Sequence, residues 1–176
     1  MKLGEDLNDL DSVWHIDTLG VVLRLTLAVI LGGAIGFERE WKKRAAGFRT
    51  HILVCLAAAC LMVLSIYGFE DFYSDPANWT EDSGGDPNLL ADPARLAAQV
   101  ISGIGFLGAG AILQKNESII GLTTAATVWV VAAVGLCVGA GFYYCAVLLT
   151  VMSLLTLTGL KYVEGWFRIK KQQSEK

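Results

Sequence analysis

The chain has 176 residues, of which 54% are hydrophobic and 18% charged, with three prolines, a formal net charge of −3 and a mean hydropathy of +0.51. That balance excludes a soluble globular domain, and it leaves no basic excess for a nucleic-acid partner. It describes an integral membrane protein built from helices.

Residues 1–17 form an acidic N-terminal segment in which Leu3, Leu7, Leu10 and Trp14 recur at helical spacing among Glu5, Asp6, Asp9 and Asp11. The spacing suits either an amphipathic helix on the membrane surface or a flexible terminus. A cleaved signal peptide would be basic here, so the first span is expected to be retained. The expected all-α transmembrane domain occupies residues 18–162. Its five spans fall at 18–37, 50–69, 93–113, 121–139 and 141–162, each near the roughly 20 residues needed to cross the hydrocarbon. Read as one helix, Gly121 to Leu160 would be about 60 Å long, so a turn is expected at Gly139, Ala140 and Gly141.

The charges orient this bundle. Arg39, Lys42, Lys43, Arg44 and Arg49 lie between the first two spans, and the basic tail 163–176 carries Arg168, Lys170, Lys171 and Lys176. The loop 70–92 holds seven carboxylates and neither Lys nor Arg. The positive-inside tendency then places the N-terminus outside and the C-terminus in the cytoplasm. The acidic loop is most simply a solvated one, since it contains no calcium-loop pattern.

Polar residues inside spans are costly and therefore informative. Asp92, Arg95, Gln99 and Ser102 share one helical face, which is expected to look into the bundle. Arg24 of the first span is the matching group at that depth, with Asp92 or Asp17 as its expected partner; snorkelling to the interface is the simpler alternative for both arginines. Gly103, Gly105, Gly108 and Gly110 close the third span, either for tight helix packing or as an unwound segment offering carbonyls to an ion. Gly32 with Gly36 and Gly135 with Gly139 are further small-residue pairs, pointing to a tight bundle and to a homodimer. The formal G-x-G-x-x-G here lacks the strand and acid of a dinucleotide site.

At the inner end, Glu38 and Arg49 sit at one depth on neighbouring helices and are expected to pair, with His51 beside them. Thr123 and Thr127 share a face that extends the polar lining. Cys55, Cys60, Cys137 and Cys145 match no metal or redox spacing and read as small apolar residues, although Cys137 and Cys145 flank one turn. Ser102 and His51 stand at different depths, which removes an intramembrane dyad and any enzymatic reading.

Three segments, GGAIGFEREWKKRAAGFRTHILV, ADPARLAAQVISGIGFLGAGAIL and GLTTAATVWVVAAVGLCVGAG, resemble the signature blocks of the MgtC/SapB family of bacterial inner-membrane proteins, in order and spacing from Arg24 to Val163. The resemblance implies a multi-pass inner-membrane protein of magnesium homeostasis and stress adaptation, in a family associated with virulence. It implies a regulator that binds membrane-protein partners, the membrane sector of the F-type ATP synthase among them. The alternative it carries is a transporter of Mg²⁺ or another ion with a polar site at the third helix. By motif match the shared core falls on Glu38, Arg39, Gly47, Arg49, Thr50, Asp92, Pro93, Arg95, Gln99, Gly103, Gly105, Gly108, Thr123 and Thr124. No cofactor is expected beyond Mg²⁺ as a ligand, for which Asp92 is a weak candidate. Longer members carry a soluble domain after the fifth span, where this chain has only the basic tail.

Overall fold

The structure is a computed structural model that describes residues 16–68, 93–115 and 118–174, with side chains described as far as residue 159. The amphipathic pattern of Leu3 to Trp14 and the acidic loop with Asp92 lie outside the described residues.

Among the described residues five helices and one hairpin follow one another. They are α1 (Thr18–Trp41), α2 (Phe48–Tyr67), α3 (Pro93–Gly110), β1 (Leu113–Lys115), β2 (Ser118–Ile120), α4 (Leu122–Gly139) and α5 (Tyr143–Ser174). Helices α1, α2 and α4 are long and apolar enough to cross a membrane, and α3 and α5 contribute shorter apolar stretches at Ala94–Gly110 and Tyr143–Gly159. The chain is thus an all-α membrane protein with one small β-hairpin.

Helix α2 is the axis of the bundle, packed most extensively against α1 on one side and α4 on the other. Small residues set both contacts. A Cβ placed on Gly32 would stand 2.7 Å from Cys55 Cβ, and one on Gly36 would stand 2.9 Å from Phe48 Cα. On the other side, a Cβ on Gly135 would meet Ala58 Cβ at 2.8 Å, and one on Gly139 would meet Met62 Cβ at 2.7 Å. Lipid gives no hydrophobic drive to associate helices, so close backbone approach with its dispersion contacts holds these three together. The core they enclose is Ala28, Leu31, Ile35, Cys55, Ala59, Val131, Val134 and Val138, sealed by Ala146 of α5.

Three boundaries differ from the sequence reading. Helix α1 continues past residue 37 to Trp41 and so carries Glu38 and Arg39 on its final turns. The third apolar stretch stops being helical at Gly110, and Leu113 pairs with Ile120 in an antiparallel hairpin instead. The return from β2 into α4 uses Gly121 at φ +93, a left-handed position where a side chain would run into the Ala111 backbone. Beyond Tyr162, the chain expected to be a tail remains helical to Ser174. At 32 residues α5 is about 48 Å long, well over the roughly 30 Å hydrocarbon thickness. Between α4 and α5 the chain reverses through Ala140, with Gly141 at φ +84.

Candidate functional site

Two groups of polar side chains stand at opposite ends of this bundle. The first surrounds Arg24. Its Nε donates to Tyr143 Oη at 3.1 Å, Nη1 to the Gly139 carbonyl at 2.7 Å and Nη2 to Tyr67 Oη at 3.0 Å. The guanidinium carbon also lies 5.1 Å from the centre of the Tyr67 ring. Gly139 is the last residue of α4, whose terminal carbonyls have no partner within their own helix and carry the negative end of its dipole. One arginine therefore caps α4 and ties it to α1, α2 and α5. Of the two expected partners, Asp17 precedes the first turn of α1 as its N-cap and is not among these contacts, and Asp92 lies outside the described residues. Arg24 finds tyrosines and a helix end because these converge where its side chain reaches.

The second group is a buried polar knot where α1 ends and α2 and α4 begin. Arg39 is 2% exposed, and its Nη2 donates to Thr124 Oγ1 at 3.2 Å. Its Nη1 is 4.0 Å from Glu38 Oε2. The other oxygen of Glu38 meets the Lys42 ammonium one turn later, and that ammonium also donates to the Leu157 carbonyl of α5 at 3.2 Å. His51 is fully buried. Its Nδ1 must donate to the Gly47 carbonyl at 2.8 Å, since a carbonyl can only accept; Nε2 lies 3.2 Å from Thr127 Oγ1. Thr127 in turn donates to the Thr124 carbonyl at 2.9 Å. Four helices are joined here through six side chains. Glu38 Oε2 and Arg39 Nε remain buried without a hydrogen-bond partner among the described residues.

Of the inner-end residues singled out from sequence, the structure brings Glu38, Arg39 and Thr124 together and turns Arg49, Thr50 and Thr123 outward. Glu38 pairs with Lys42 and Arg39 instead of Arg49. The buried threonines of α4 are Thr124 and Thr127, at i and i+3, in place of Thr123 and Thr127. Lys42, read as a topology signal alone, is the residue that sequence reasoning missed; its i, i+4 spacing from Glu38 was the available sign.

Helix α3 is turned differently from expectation. Ile104 and Gly108 are its buried positions, with Leu96 and Val100 half-buried on the same side. Arg95 and Ser102 are exposed, and Gln99 is exposed at the rim of the contact with α2. The apolar ridge Leu96, Val100, Ile104 and Gly108, spaced by four, wins the contact with α2 and α4, and the polar stripe is left exposed. The helix stays α-helical through Gly103, Gly105, Gly108 and Gly110, with no unwound segment. Gly108 lies against Ala125 of α4, while a Cβ on Gly103, Gly105 or Gly110 would meet nothing within 4 Å. Between α2 and α3 runs a groove of about 450 Å³ whose lining includes Ala57, Leu61, Gln99, Gly103 and Leu107. Cys137 and Cys145 are free thiols, as are Cys55 and Cys60.

The MgtC family model matches residues 25–166. The chain belongs to the MgtC family. It is 46% identical over 140 residues to the Escherichia coli K12 protein named "Putative magnesium transporter YhiD", covering 80% of this chain and 60% of that one. It is 40% identical to Protein SapB of Bacillus subtilis, over 74% of this chain and 51% of SapB, and 38% identical to Protein MgtC of Salmonella typhimurium LT2, over 76% and 49%. The chain therefore spans about half to three fifths of the length of these relatives. No solved structure matches it. Membership of the MgtC family and the apolar helices make it a multi-pass protein of the bacterial inner membrane.

Proposed function

We propose that this MgtC-family protein serves magnesium homeostasis and stress adaptation as a regulator acting through a membrane-protein partner. The observation that carries this reading is the separation of its polar groups. The Arg24 cluster and the Glu38, Arg39, His51 knot are divided by a dry layer of Ala28, Leu31, Ile35, Cys55, Ala59, Val131, Val134 and Val138, each at most 9% exposed. A cation needs a continuous lining of oxygen ligands, and the buried apolar side chains of this layer supply none within one protomer. The charges point the same way, because Arg24 at one end and Arg39 with Lys42 at the other would repel a divalent cation. The membrane sector of the F-type ATP synthase is the first partner to test.

A second reading, an ion transporter, is favoured by the name of the Escherichia coli relative and by Gln99 in the groove beside α3. Mg²⁺ uptake into proteoliposomes separates the two. The regulator predicts uptake no greater than in protein-free liposomes, while Arg39→Ala still loses function in a low-magnesium growth assay. Uptake that is saturable and lowered by Gln99→Ala would establish the transporter.

A further inference from the structure

We infer that two copies of this chain pair through α3, each inserting Phe106 into the groove between α2 and α3 of the other. Phe106 is the most exposed large apolar side chain among the described residues, at 82%. It stands in sequence between Ile104 and Leu107, which line the groove, so knob and hole lie at one depth in the membrane. Copies inserted in the same orientation relate by a two-fold axis along the membrane normal, and that operation preserves depth. A surface that carries both the knob and the hole at equal depth is complementary to itself, as an isologous interface requires.

The polar atoms on this face support the same occupant. Gln99, Gly103, Phe106 and Gly110 fall within about 60° of arc on α3 at 3.6 residues per turn. The Gln99 side chain is exposed at the rim of the groove, and among the described residues no group bonds its amide. Left in hydrocarbon, an amide without partners is costly. A second Gln99 at the same depth offers both the donor and the acceptor it lacks, whereas an acyl chain filling the groove offers neither. Gly103, one turn from Gln99, has open space where a side chain would stand and lets the two backbones approach. Arg95 is about 12 Å along the helix from Gly103, so a right-handed crossing at the glycine carries the two like charges apart. The glycine pairs of α1 and α4 do not compete for this role, since both are used against α2.

Energy transfer between donor-tagged and acceptor-tagged copies in liposomes, over a series of protein-to-lipid ratios, tests the pairing. The parent is expected to show transfer that is linear in acceptor fraction, as for a dimer, and that falls on dilution. Phe106→Ala and Gly103→Leu should each move the dilution midpoint by roughly tenfold or more, the loss of one anchor or the filling of its hole. Phe106 is 82% exposed, so Phe106→Ala should also keep the parent's thermal unfolding in detergent. Tyr144→Ala, which removes an aromatic exposed on α5, should leave the midpoint unchanged. Absence of transfer in the parent at every ratio, as for a lipid-filled groove, or midpoints unmoved in both variants, would overturn the inference. It does not depend on magnesium, and its failure would leave the proposed regulatory role standing.

Discussion

At the scale of single residues, the threonines of α4 show how one position separates structure from surface. Thr124 is 4% exposed and receives Arg39 Nη2, whereas its neighbour Thr123 faces outward. Thr124→Val keeps the shape and removes the acceptor, so a buried guanidinium donor loses its partner. That should cost about 1–3 kcal/mol of stability. Thr123→Val should stay within about 0.5 kcal/mol of the parent, as for most surface changes. Thermal unfolding in detergent of the two variants side by side checks this, and equal losses would contradict the assignment of Thr124 to the knot. Composition could not tell these neighbours apart, because the phase of α4 is fixed only when Gly135 and Gly139 settle against α2. Arg24 was legible as a group needing a partner. That its partners are Tyr67, Tyr143 and a helix-end carbonyl was not, since a carbonyl leaves no mark in the sequence.

At the scale of elements, glycines with identical sequence signatures divide by what stands opposite them. Gly135→Ala would force its methyl to within 2.8 Å of Ala58 Cβ and push α4 off α2. Overpacking of that kind costs about 1–3 kcal/mol. Gly105→Ala adds a methyl that meets nothing within 4 Å, so only the better helix propensity of Ala acts, worth up to about 1 kcal/mol. The expected outcome is a lowered unfolding temperature for Gly135→Ala and an unchanged or raised one for Gly105→Ala. Five apolar helices could be read from hydropathy because lipid imposes length and composition directly on sequence. The rotation of α3 could not, since a helix with an apolar ridge on one side and a polar stripe on the other is compatible with either facing inward. The hairpin at Leu113 to Ile120 escaped for a different reason: three-residue strands carry too little periodicity to be seen.

At the scale of the whole molecule, the two polar groups and the charge of the connections fit one orientation. The end that gathers Glu38, Arg39 and Lys42 also carries Lys43, Arg44 and Arg49 in and beside the α1–α2 turn, while Arg24, Tyr67 and Tyr143 gather at the opposite end. Short loops rich in Lys and Arg tend to stay in the cytoplasm, and a crossing by each of the five helices would put the two ends of the chain on opposite sides. The α4–α5 turn at Gly141 should therefore face outside, and the basic end of α5 the cytoplasm. Because α5 outlasts the hydrocarbon, the helix would carry the segment from about residue 163 into the cytoplasm as a rigid rod, beside the ammonium of Lys42 that grips its Leu157 carbonyl. A periplasm-active phosphatase inserted after Gly141 should be active, and a green fluorescent protein fused after Lys176 should fluoresce. The opposite pattern would invert the bundle. It would put the Glu38, Arg39 and His51 knot at the outer face, where a partner on the cytoplasmic side could not reach it.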